Sequence, residues 1–200
     1  GAKQMSFKHC ARSSFIPGTE ASPMSAKQIH DIMLGYRNRF ARPDEAVNIE
    51  LALDFCTSEK NASYQIVTRA EFDAIPNSSR SEALWDGVTR TIYIPDDLEQ
   101  KVGIHRMRYT IAHEIAHMIL DHKPPALVYG RGTPSRREDI PIYRDPEWQA
   151  DKGASFLLMT IAGTKAKGLV SASEISENFN VSEESAGYFL NDAHRISRRA

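Results

Sequence analysis

Cysteine is scarce in this chain: Cys10 and Cys56 are the only two in 200 residues, and they form no Cys-x-x-Cys pair. That excludes a disulfide framework and fits a reducing, cytoplasmic setting. Long apolar runs are missing as well, and none reaches the roughly 18 residues that a membrane span needs. The first ten residues are polar and basic without an apolar core, so no secretion signal is expected. An excess of one charge is also lacking, since 25 Lys and Arg against 26 Asp and Glu leave a net charge of −1. A chain that wraps nucleic acid or clings to membrane surfaces would be strongly basic, so neither class is indicated. No internal repeat or low-complexity tract is present. The remaining composition, 41% hydrophobic and 26% charged, is that of an ordinary globular chain long enough to build its own core.

What is present centres on His113-Glu114-Ile115-Ala116-His117. A helix turns once in about 3.6 residues, so histidines four apart lie one above the other on one face. Both imidazoles then reach one Zn²⁺, and Glu114 beside the first ligand can act on a water at the metal. Arg106 to Asp121 holds no Gly or Pro, and Met107, Ile111, Ile115, Met118 and Ile119 supply an apolar face. The motif therefore predicts a zinc-dependent hydrolase with one ion per chain, its metal helix packed inside the domain.

Around that helix the pattern predicts an α+β chain. Residues 1–23 carry Ser, Pro, Gly and charge without periodicity and are expected to form an arm. Ser25 can cap a helix carrying Ile29, Ile32, Met33 and Tyr36. Residues 47–55 show apolar alternation and are read as a strand, although Pro43-Asp44-Glu45 resembles a helix start. Ser63 to Thr68 is β-rich, and 72–80 reads as loop. Glu82 to Ile94 holds an Asp86-Gly87 pair between apolar runs, a hairpin signal. A small, mostly antiparallel sheet should thus precede the metal helix, with strand 88–94 a candidate edge for binding an extended peptide. Pro124-Pro125 stops the helix, and 124–146 is long enough to raise the question of a lid. A further helix is expected over Glu147 to Met159, where Gly153 and Ala154 permit close packing. Two short helices around a turn should follow, capped by Ser171 and Ser182.

The third ligand sets the subclass. A three-histidine site would need Gly at 120 and His at 123, but Leu120 and Lys123 stand there. His122 falls one residue early and is expected to be exposed, or a donor near the site, rather than a ligand. A carboxylate on the following helix is favoured: Glu147, with Asp145 the weaker competitor. Asp151, one turn beyond Glu147, could accept a hydrogen bond from the free nitrogen of a ligand histidine. Glu114 is the expected general base. The oxyanion donor stays open among Tyr93, Tyr109, His122, Tyr129 and Tyr143, with Tyr93 and His122 carried forward.

The run Arg108-Tyr109-Thr110-Ile111-Ala112-His113-Glu114-Ile115-Ala116-His117, followed by Glu147-Trp148-Gln149-Ala150-Asp151 and on to Leu157-Leu158-Met159, resembles the ImmA/IrrE family of bacterial and phage zinc metallopeptidases. Residues 175–186 resemble that family's closing helices. The chain departs from the pattern where Gln149 replaces a second Glu and Thr160 replaces Pro. The resemblance implies a zincin-like fold with gluzincin-like ligands, spanning a peptidase domain at 24–165 and a helix-turn-helix-like segment at 166–200. It also implies cleavage of a protein partner, a helix-turn-helix repressor, which would derepress mobile-element or stress genes. Neither a membrane nor direct DNA contact is expected. The alternative is a DNA-binding or partner-binding regulator, such as a toxin–antitoxin component, built on 171–199 with its basic end His194, Arg195, Arg198 and Arg199. A degenerate zincin that binds without cutting would not need Glu114.

Overall fold

In the computed structural model, residues 20–122 and 140–198 are described. Nine α-helices and three strands occur among them, joined by short 3₁₀ turns at 78–80 and 142–144. The helices are α1 (Ala26–Arg37), α2 (Ile49–Glu59), α3 (Arg69–Asp73), α4 (Leu98–Val102), α5 (Ile104–Ile119), α6 (Pro146–Leu158), α7 (Ile161–Ala166), α8 (Ala172–Phe179) and α9 (Glu183–Ser197). The strands are β1 (Ser63–Val67), β2 (Leu84–Asp86) and β3 (Thr91–Pro95). No helix among the described residues is long and apolar enough to cross a membrane.

Caps fix most helix starts where polar residues foretold them. Ser25 forms a reciprocal capping box with Gln28, and Ser171 does the same with Glu174. Ser182 accepts from the Ser185 N–H at the start of α9. The expected strand at 47–55 is instead helical: residues 49–55 lie in α2, capped by Asn48 Oδ1, which takes the N–H groups of Glu50 and Leu51 at 3.0 Å. Burial shows why helix wins. Ile49, Ala52, Leu53 and Cys56 form a buried helical stripe, whereas alternation would bury Leu51, which is 48% exposed.

The sheet has order β1-β3-β2, with β1 parallel and β2 antiparallel to β3, so it is mixed where a mostly antiparallel one was expected. The hairpin forms, but Asp86 pairs with Thr91, so residues 87–90 make a four-residue connection. Asp86 organises it by accepting from the Val88 N–H and the Thr89 hydroxyl, each at 2.8 Å. β3 is the central strand; the sheet edge beside α5 is β2, which corrects the expected peptide-binding edge at 88–94.

One apolar cluster unites the elements: Ile29 and Met33 of α1, Ile92 and Ile94 of β3, Ile111 and Ile115 of α5, Leu157 of α6, and Phe179 and Phe189 of α8 and α9. Each large side chain fully buried in this way contributes about 1.5–3 kcal/mol. Two buried arginines tie the layers together. Arg37 donates to the carbonyls of Leu157, Arg42 and Glu45, and Arg108 to those of Val47, Phe179 and Asn180. At the crossing of α5 and α6, a Cβ on Gly153 would lie 2.5 Å from Ala116 Cβ. Only glycine lets the two helices approach this closely.

Candidate metal centre

Helix α5 is buried along most of its length, and His113 and Glu114 are buried with it. Opposite stands the first turn of α6. Asp145 caps that helix, accepting the Glu147 N–H at 2.9 Å, and Pro146 takes the first helical position, where a missing N–H costs nothing. The cap aims Glu147 back at α5. His113 Nε2 lies 3.0 Å from His117 Nε2 and 3.2 Å from Glu147 Oε2, and His117 Nε2 lies 3.5 Å from the same oxygen. An ion with tetrahedral bonds of about 2.0–2.1 Å separates its ligand atoms by about 3.3 Å. The three atoms therefore form a group able to hold a metal ion. Two imidazoles and a carboxylate also suit zinc in donor type. Asp145 turns its side chain to capping, and the carboxylate that converges with the two histidines is that of Glu147.

Electrostatics supports this reading. Burial disfavours charge on His113, but Asp151 and Glu147 outweigh it and raise its pKa well above the usual 6.5. Burial also works against the Glu147 carboxylate, yet His117 and His113 hold its pKa well below 4.5. Without a metal, the site draws in a proton to sit among its acceptors. Burial raises Glu114 above 4.5, partly offset by His117, His113 and the Trp85 N–H. That N–H donates to Glu114 Oε2 at 2.7 Å, which leaves Oε1 for other chemistry.

Around the ligands, Asp151 Oδ1 lies 3.0 Å from His113 Nδ1, the expected pairing, close enough for an ion pair although poorly aligned for a hydrogen bond. His122 is buried rather than exposed, and both of its nitrogens are engaged: Nδ1 faces His117 Nδ1 at 2.9 Å and Nε2 faces Gln149 Oε1 at 2.8 Å. Burial, aided by His117, lowers its pKa to about 3. This placement does not support His122 as an oxyanion donor. Tyr93 is not supported either. Ile92 and Ile94 face the core shared with α5, so the strand's alternation turns Tyr93 to the opposite face. Tyr109 donates to the Asp151 carbonyl at 3.1 Å. Tyr129 lies outside the described residues, as does most of the 124–146 segment.

Sequence reasoning missed two participants. The Trp85 N–H is a main-chain donor delivered by the hairpin, which no residue type announces. Gln149 stood out in the sequence only as a departure from the family pattern, with no role attached to it. Glu82 sets the hairpin's place by accepting from Arg106 Nε and, at 2.7 Å, from the Thr110 hydroxyl.

A helix bearing His-Glu-x-x-His, a carboxylate returned by a later helix, and a small sheet laid along the first helix together define a zincin-like metallopeptidase. The family model described as the IrrE N-terminal-like domain matches residues 66–191. The chain belongs to this metallopeptidase family, the ImmA/IrrE group, as its motifs indicated. No curated protein matches it closely enough to count.

Proposed function

We propose that the protein is a zinc-dependent endopeptidase that cuts another protein, a helix-turn-helix transcriptional repressor, and so releases the genes that repressor silences. The observation that carries the enzymatic part is the convergence of His113, His117 and Glu147 within 3.5 Å beside Glu114. His113 Nε2, His117 Nε2 and Glu147 would hold the ion, whose Lewis acidity supplies acidified water and a polarised carbonyl. Glu114 takes the water's proton on Oε1 while the Trp85 N–H holds Oε2, and it passes the proton to the leaving amine. Its raised pKa favours the first of these transfers, because a more basic carboxylate takes the proton more readily and keeps it through the attack. The β2 edge beside α5 suits an extended peptide, which would add as a further strand.

The repressor as substrate follows from the family resemblance. The DNA-binding alternative is less well supported by the charge pattern: the first turn of α9 carries Glu183 and Glu184, where a recognition helix would meet the DNA. The test uses the full chain with a repressor encoded beside it. Wild type should bind about one zinc and cut the repressor at a defined bond, while Glu114→Gln should keep the zinc and lose ~10²–10⁴-fold in turnover. Two zinc-loaded proteins that both cut, or both fail to cut, would remove Glu114 from the mechanism. Failure of wild type to bind zinc after reconstitution would remove the site.

A further inference from the structure

The two nitrogens of His117 face different neighbours. Nε2 points into the cluster with His113 and Glu147, and Nδ1 meets His122 Nδ1 at 2.9 Å. A neutral imidazole carries one proton, so Nε2 offers a lone pair to a cation only when Nδ1 holds that proton. What sets the tautomer lies two residues further out. Gln149 Nε2 is 2.8 Å from the Ser22 carbonyl and 2.8 Å from the Tyr143 carbonyl. Carbonyls only accept, so the amide nitrogen must face them, which turns Oε1 toward His122 Nε2. Oε1 also only accepts, so His122 Nε2 must carry a proton. Neutral His122 then presents a bare Nδ1, which accepts from His117 Nδ1–H. Each step leaves one choice.

We propose that His122 and Gln149 form a positioning relay that fixes His117 in its Nδ1–H tautomer, so that its Nε2 lone pair is set toward the cluster before any cation arrives. The inference rests on His113, His117 and Glu147 being a metal site. Gln149 is fully buried and His122 nearly so, so bulk water does not compete for these bonds. The relay also accounts for glutamine at 149. A carboxylate would set acceptors against two carbonyls, whereas the amide meets both with donors and still offers His122 an acceptor. The residues are positioning groups, since neither reaches the cluster itself.

The experiment is nitrogen-15 imidazole NMR on the full metal-free chain, paired with zinc affinities from chelator competition. His117 should show a protonated Nδ1 and a bare Nε2 in wild type. In Gln149→Leu it should become a mixture of tautomers. His122→Phe, which keeps the ring and removes the acceptor, should bind zinc about 10–100-fold more weakly. His122→Asn, whose Oδ1 can accept where Nδ1 did, should recover most of that loss. A wild-type His117 protonated at Nε2 overturns the relay, and so does unchanged zinc affinity in a folded His122→Phe. If His122→Phe does not fold, the tautomers of wild type and Gln149→Leu decide the question. Correct tautomers in a protein that binds no zinc would leave the relay standing and remove the metal-site reading instead.

Discussion

Arg37 and the His113–His117–Glu147 cluster both take polar groups out of water, but they use their hydrogen-bonding capacity in opposite ways. Arg37 is fully buried with no ion pair among the described residues, and its donors meet three main-chain carbonyls at 2.6 to 3.0 Å. Supply and demand match there, and the result joins the end of α1 to the end of α6. In the cluster, two imidazole nitrogens and a carboxylate oxygen face one another, and none of the described residues sets an obligate donor among them. Such an arrangement repels itself unless a proton or a cation enters. Matched buried groups therefore mark architecture, and unmatched convergent ones mark a place kept for a ligand.

The largest effects should separate these two regions cleanly. Arg37→Met orphans the carbonyls of Leu157, Arg42 and Glu45, and at about 1–3 kcal/mol for each buried group the loss should be roughly 3 kcal/mol or more. Urea unfolding of the metal-free protein reads it. His117→Ala relieves the crowding at Nε2 and orphans only the Nδ1 of His122, against three carbonyls for Arg37→Met, so metal-free stability should change less, while zinc affinity is lost. Glu147→Ala should behave in the same way, and normal zinc binding there would strike it from the ligands. A His117→Ala protein as unstable as Arg37→Met would erase the distinction.

Gly153 lies between the two regions, since the α5–α6 approach it permits sets both packing and ligand spacing. An alanine there adds a methyl 2.5 Å from Ala116 Cβ and 3.1 Å from Met33 Cε. Met33 can bend away, but the Ala116 Cβ has no rotamer to change. Overpacking of this kind costs about 1–3 kcal/mol, against a gain of about 1 kcal/mol in helix propensity. Gly153→Ala should thus be destabilised on balance and should also bind zinc more weakly, because Glu147 and Asp151 shift relative to His113. Adding Ala116→Gly should restore zinc affinity. Failure to restore it would locate the damage elsewhere than in the helix spacing.

How much of this was legible depended on whether the information was local. Caps at Ser25, Ser171 and Ser182, the hairpin at Asp86, and the placing of His113 and His117 on one face of α5 are short-range patterns, and they read correctly. Residues 47–55 did not, because their apolar residues satisfy both the strand and the helix period and only tertiary burial chooses between them. The parallel pairing of β1 with β3 was hidden for a similar reason, since the two strands meet across 28 positions. At the site, Glu147 and Asp151 followed from helical spacing. The burial of His122 did not, because its partner Gln149 arrives from another helix. Thr160, a departure from the family pattern, serves both ranges: it caps α7 locally and donates to the distant Pro43 carbonyl at 2.6 Å.

The smallest predicted effect is a pair of opposed pH slopes, which the comparison requires. His113 titrates above its usual 6.5 in the metal-free fold, because Asp151 and Glu147 outweigh the cost of burial. A raised pKa means that the folded state holds the proton more tightly than the unfolded chain. The stability this supplies is fully present below about 6.5 and is lost as pH rises through the folded value. Zinc needs the same nitrogen bare, so its affinity should climb over that window, by up to about tenfold per pH unit for one displaced proton. Glu147 stays ionised throughout and adds no slope. Arg37, lowered by burial only to about 10, keeps its charge there too and contributes none. Urea melts and chelator competition across about pH 6 to 9 should therefore slope in opposite directions, and His113→Ala should flatten the first. A zinc affinity already constant at pH values just above 6.5 would show that the cluster does not gather a proton as these contacts demand.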